Sequence, residues 1–268
     1  MSRRAGVRFR DLAAAELGKA VTLPVVRAAV AGTVGGSAGL AALNAVGARN
    51  ALVGGAAGAG LAPPTFDVAY AAAPLGAAGA VVLGVVAMSS EYAASSADAG
   101  GARQVTTTLT AAPGRLRVLG AKALVVALLV AMTAVLAIGA CLAVATLVLG
   151  DAAAEAVGLR EAVLRTAGAA LYWTLTALIA LAVTVLTRGG TLPLVVLVAN
   201  GSLVSFSLLL SRVTPWAHWL PDLAGRRLYG GLATVPGGPD AVTGAWVMAA
   251  WTAALLAVAG VVLARRDA

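Results

Sequence analysis

Six ionisable side chains stand between Glu91 and Lys122: Glu91, Asp98, Arg103, Arg115, Arg117 and Lys122. They do so in a chain where only 11% of residues are charged. Scarce charge gathered on one internal stretch has one evident use, which is to meet something in water. Other chemistry is excluded piece by piece. A phosphate-cradling loop needs G-x-x-x-x-G-K-[ST], whose amides wrap phosphate and whose lysine reaches the terminal phosphates. Of the two lysines, Lys19 follows Gly18 but precedes Ala20, and Ala13 stands where the first glycine belongs. Lys122 follows Ala121. One cysteine, Cys141, and one histidine, His218, cannot build a zinc site. There is no H-E-x-x-H, and Ser202 or Ser205 would need a base, while the only histidine sits in an outer loop. No catalytic, cofactor-binding or metal-binding residues are expected, and the chain does not read as an enzyme by itself.

The elements that must carry these charges are helices in lipid. Hydrophobic residues make up 60% of the 268, and mean hydropathy is +0.94. Soluble domains are about 45–50% apolar and about 25% charged. The net charge of +8 reads as loops obeying the positive-inside rule rather than as a nucleic-acid surface. The bias to Ala, Val, Leu and Gly points to a GC-rich bacterial genome, and so to a bacterial cell membrane. Arg3, Arg4, Arg8 and Arg10 resemble the start of a signal peptide, but Asp11, Glu16 and Lys19 intervene and the following apolar run is long enough to stay in the bilayer.

A spanning helix needs about 20 apolar residues. Six runs qualify: 24–46, 68–88, 119–149, 162–186, 191–210 and 244–264. The first is weakened by glycines and the fifth by Pro193 and Asn200, for which a helix kink is the expected effect. The spans hold no Asp, Glu, His or Lys near their centres. Of 19 Lys and Arg, only Arg49, Arg160, Arg165, Arg212, Arg226 and Arg227 fall outside if the N-terminus is inside. Both termini are therefore expected in the cytoplasm. Residues 1–23 read as an amphipathic surface helix, or as a basic tail that sets topology. Residues 211–243, rich in Trp, Tyr and Pro, read as a partly re-entrant outer hairpin or as a long wet loop. Gly32 and Gly36, like Gly35 and Gly39, have the spacing of close helix packing, which 32 glycines also produce by chance. The chain is read as one permease-sized membrane domain over 1–268.

The central stretch resembles the loop between the second and third spans of ABC-2-type ABC transporter permeases. Glu91-Tyr92 matches the glutamate that closes the second span. Gly100-Gly101-Ala102-Arg103-Gln104 matches the Gly-rich stretch, and Val105-Thr106-Thr107-Thr108-Leu109 the short helix. Pro113, Arg115 and Ala121-Lys122 complete the series. Glu16 and Lys19 fit the family's surface elbow helix, and Leu263-Ala264-Arg265-Arg266-Asp267 its usual ending. The Ser95-Ser96-Ala97-Asp98 insertion departs from many members and shifts the start of the short helix.

The resemblance implies a permease subunit that exports cargo, driven by a separate ATP-binding subunit that carries the ATP and Mg. It implies a second permease chain, identical or different, and an amphiphilic or hydrophobic cargo such as a drug, peptide antibiotic or lipid. Residues 89–118 would be the cytoplasmic coupling loop. Glu91, Arg103, Thr106, Thr107, Thr108, Leu109, Pro113, Arg115 and Arg117 would contact the ATPase, the arginines on its acidic rim. The arginines serve equally well to set topology or hold lipid phosphates. A secondary carrier or channel, and a non-transporting anchor subunit, are the competing readings.

Overall fold

The computed structural model describes residues 8–54, 64–92, 114–150, 157–202, 205–233 and 237–265. The first helix, α1, runs Phe9–Thr22. It ends at Leu23, which is extended because Pro24 disfavours the helical conformation in the residue before it. Pro24 itself is the first residue of α2, Pro24–Val53, where its missing N–H costs nothing. Next come α3, Thr65–Tyr70, and α4, Ala73–Tyr92. Pro74 accounts for the break between them, because its ring clashes with the carbonyl four residues back.

The 35-residue α5, Arg115–Leu149, is about 52 Å long at about 1.5 Å per residue. It stops at Gly150, whose φ of 51° suits glycine. Helix α6, Leu159–Thr187, is followed by α7, Thr191–Ser202. Short pieces come after it: α8, Phe206–Ser211; a 3-10 turn, Pro215–Trp219; α9, Pro221–Gly225; and a second 3-10 stretch, Arg226–Ala233. Helix α10, Ala241–Arg265, closes the described chain.

Among the described residues, five units are long and apolar enough to cross a bilayer: Pro24–Val53, Thr65–Tyr92, Arg115–Leu149, Leu159–Thr187 and Ala241–Arg265. The described chain is all-α, with the character of a multi-pass membrane protein. Most helices outrun the apolar cores expected from the sequence. Of the expected 89–118 segment, residues 89–92 and 115–118 are helical, at the end of α4 and the start of α5.

The fifth run differs most. Helix was expected over 191–210, but α7 has only 12 residues, about 18 Å. Pro193 is not the cause, since it sits in the first turn, where proline is tolerated. The helix stops where Asn200, Gly201 and Ser202 bring poor helix propensity. Side chains then compete for the backbone. Asn200 Oδ1 accepts from Phe206 N at 2.9 Å, and Ser205 Oγ accepts from Leu208 N at 3.1 Å as the cap of α8.

The helices alternate in direction. Arg115 Nη1 donates to Leu263 O at 2.9 Å, setting the start of α5 beside the end of α10. Gly190, just before α7, lies against Ser89 and Val85 near the end of α4. The opposite end gathers α3 and the start of α6, where Tyr70 donates to Arg165 O at 2.8 Å.

Helix α4 approaches α6 through Gly76, Ala80 and Gly84, a small-xxx-small ladder. A Cβ on Gly84 would lie 2.1 Å from Ala177 O, and one on Gly76 would lie 1.8 Å from the Trp173 ring. The glycines singled out in the first span behave differently. Around Gly32, Gly35, Gly36 and Gly39 an added Cβ meets nothing.

The 211–243 segment is no loose loop where it is described. Ala217, Leu223, Ala224 and Tyr229 are buried. Tyr229 OH accepts from Trp173 Nε1 at 2.9 Å, its ring lies 4.8 Å from that of Tyr172, and Trp251 Nε1 donates to Trp219 O at 2.9 Å. Tyr229→Phe leaves the Trp173 N–H without its partner in a site where the indole is fully buried. The expected loss is about 1–3 kcal/mol, read as a lower unfolding midpoint in detergent. An unchanged midpoint would show that this bond does not hold the segment.

Candidate functional site

Four charged side chains meet where α1, α4 and α5 converge. Glu16 and Lys19 come from α1, Glu91 from the end of α4, and Lys122 from the second turn of α5. Lys122 Nζ is hydrogen-bonded to Glu16 Oε2 and lies 3.2 Å from Glu91 Oε1. Lys19 Nζ lies 2.9 Å from Glu16 Oε1 and 3.2 Å from the same Glu91 oxygen. The side chains of Glu16, Glu91 and Lys122 are 7%, 4% and 7% exposed, while Lys19 is 33% exposed.

Two carboxylates and two ammonium groups sum to zero charge. That balance makes the burial tolerable, because each desolvated ion has an opposite neighbour at hydrogen-bond distance. Burial works against the Lys19 ammonium. The hydrogen bond to Glu16 and the charge of Glu91 outweigh it and hold its pKa above the ordinary lysine value of 10.5.

The cluster reverses the expected amphipathicity of the first helix. Glu16 is the buried residue of α1, whereas Phe9, Leu17 and Val21 are exposed. Ions on the inner face, rather than an apolar stripe, tie this helix to α5 and α4. A cavity of about 150 Å³ adjoins the cluster and continues between apolar Leu23, Val26, Leu83 and Val126.

The residues expected at a partner's surface divide three ways. Glu91 faces inward and its carboxylate is engaged by both lysines. Arg115 is half-buried and donates to Leu263 O, and Arg117 is exposed. Arg103, Thr106, Thr107, Thr108, Leu109 and Pro113 lie outside the described residues. The sequence reading placed Lys122 at the mouth of a span, and Glu16 and Lys19 on a surface helix, without joining them to Glu91. Separations of 106 and 72 residues kept that partnership out of local view. The scarcity of charge was the usable signal, since both lysines of the chain stand in this cluster.

Mechanically, the cluster clamps the two ends of the 93–113 segment to each other and to α1. A pull on that segment is therefore shared by α1, α4 and α5. A second ion group ties the opposite end of the bundle. Arg165 is hydrogen-bonded to Asp67 on α3, lies 2.6 Å from Glu161 on its own helix, and stands 5.9 Å from the Phe66 ring centre. Ser205, weighed as a nucleophile, donates to Asp222 Oδ2 at 3.0 Å and caps α8 instead. Among the described residues no group of three His, Cys, Asp or Glu is placed to hold a metal ion. No family model matches the chain, and no curated protein matches it in sequence.

Proposed function

We propose that this chain is the membrane-spanning permease subunit of an ABC-2-type transporter in a bacterial cell membrane. A separate ATP-binding subunit powers it, a second permease chain completes the pathway, and the cargo is amphiphilic or hydrophobic. The observation that carries this reading is the series from Glu91 to Lys122 taken with its anchorage. The polar segment with the family's pattern is the one whose two ends are locked by the buried ion cluster. A loop that receives a push from an ATPase needs such an anchorage, because a slack loop would absorb the movement. The missing phosphate loop agrees with ATP being bound elsewhere. In this reading α1 is the elbow helix, α7 with α8 makes the fifth of six crossings, and both termini are cytoplasmic.

A second reading, a secondary carrier, draws on one observation. Helix α7 ends after 12 residues, short of a full crossing, and interrupted helices are a device of ion-coupled carriers. It predicts transport that follows an ion gradient and persists without ATP.

The deciding experiment is purification of the chain in mild detergent at low salt, with mass spectrometry of whatever accompanies it and an ATPase assay. A stoichiometric ATP-binding subunit is expected, and Arg103→Glu with Leu109→Asp is expected to release it while the permease stays folded. Retention of the subunit by the double variant would remove the loop from the contact. A solitary chain from the native host would sink the permease reading.

A further inference from the structure

Apart from the ion cluster, one cavity inside the bundle joins an unpaired charge to an apolar wall. It measures about 160 Å³ and lies among α4, α6, α7, α9 and α10. Tyr172, Ile179, Leu197 and Met248 form its apolar side, and Asn200 and Asp222 its polar side. Its depth follows from the helices around it. Val81 is near the middle of the Thr65–Tyr92 unit, and Thr176 is past the middle of α6. The cavity exists because α7 stops at Ser202 and the chain returns as α8 and α9, which bring Asp222 to the level where α7 leaves off. Gly201 is exposed and Leu197 and Asn200 are half-buried, so the cavity opens beside the end of α7.

Asp222 is the feature that selects a ligand. Its Oδ2 accepts from Ser205 Oγ at 3.0 Å. Among the described residues, no Lys or Arg nitrogen lies within ion-pair distance of it, and Arg226, four residues on, is not an exception. A carboxylate in an apolar-walled cavity repels anions and gains most from a cation. The Tyr172 ring also lines the cavity. Volume sets the size, since an apolar cavity of about 150 Å³ holds one benzene ring.

We propose that this cavity binds a small amphiphilic amine. The ammonium pairs with Asp222, and a body the size of one ring or a short alkyl chain rests against Ile179, Leu197 and Met248. The site needs no ATPase, so it stands apart from the transport reading.

The test uses the full chain, purified in detergent, with 2-phenylethylammonium as probe and 2-phenylethanol as its neutral counterpart. Calorimetric titration is expected to show the amine binding more tightly than the alcohol. Asp222→Asn is expected to weaken the amine by about thirtyfold or more, the scale for removing one partner of a buried charge pair, and to leave the alcohol unchanged. Equal binding of the two probes, or full amine binding by the variant, overturns the proposal. Should Asp222→Asn fail to fold, because Asp222 also ties Ser205, Leu197→Phe fills the cavity from a half-buried position. It is expected to abolish amine binding, and undiminished binding overturns the proposal equally. Because the chain is tested alone, a negative result here leaves the ATPase experiment standing, and a missing ATPase leaves this site standing.

Discussion

Lys122→Met is expected to cost the folded chain about 3–5 kcal/mol, the scale for breaking a buried ion pair by removing one partner. Methionine matches the length of the lysine stem, so packing changes little. What changes is the charge count. Glu16 and Glu91 would be left buried and facing each other, with only Lys19 to share, and Lys19 is the most exposed member of the set. Helix α1 is expected to detach from α5, and unfolding in detergent to begin at lower denaturant.

A second substitution distinguishes this account from a simple packing defect. Adding Glu16→Gln to Lys122→Met leaves one carboxylate and one ammonium, Glu91 and Lys19, and restores neutrality. The double variant is expected to be more stable than the single one, with a coupling of about 0.5–3 kcal/mol. Two costs that simply add would rule out the cluster as a unit. The pH dependence has a definite sign. The folded pKa of Lys19 is raised, so its contribution is fully present below the unfolded lysine value and is lost as pH rises through the folded one. The Lys19 contribution therefore holds through the neutral range and is lost on the alkaline side.

Gly84→Ala is the second large effect, at about 3 kcal/mol, near the top of the range for overpacking. The new methyl would lie 2.1 Å from Ala177 O, and a backbone oxygen in a helix cannot turn aside as a side chain can. Helices α4 and α6 would have to separate, undoing the seat of Trp173 against Gly76 two ladder steps away. Gly36→Ala is the control. Nothing lies near its added Cβ, and alanine favours a helix interior over glycine by about 0.5–1 kcal/mol. Opposite signs are expected for the same chemical change, measured as shifts of the unfolding midpoint. A similar loss in both would mean that α4 and α6 do not meet at Gly84.

The contrast between these glycines shows what the sequence could disclose. Length and hydropathy reveal long helices, because twenty apolar residues in a row leave the chain few alternatives in water or lipid. Which glycines lie at a contact depends on which way each helix is turned, and the 24–46 run gives no sign of that. Gly32 and Gly36 have the packing spacing and meet open space; Gly76 and Gly84 carry the contact with Ala80 between them. The end of α7 was half legible. Asn200 was the right residue to notice, but its effect comes through Oδ1 capping Phe206, a contact made across the break. Glu91 was marked by its rarity in an apolar chain. Its partners come from α1 and α5, and only the folded bundle shows that it points inward.

The ion cluster also orders events during synthesis. Glu16 and Lys19 are three residues apart and can neutralise each other as soon as α1 leaves the ribosome. Glu91 follows Lys19 by 72 residues and adds a negative charge that the local pair does not balance. Lys122 comes 31 residues later still. At about 5–20 residues per second, α4 waits on the order of seconds for its counter-ion. Through that interval the end of α4 has reason to stay in water, and it becomes free to sink against α1 when Lys122 arrives. The last charge to emerge thus closes the joint that the first two began.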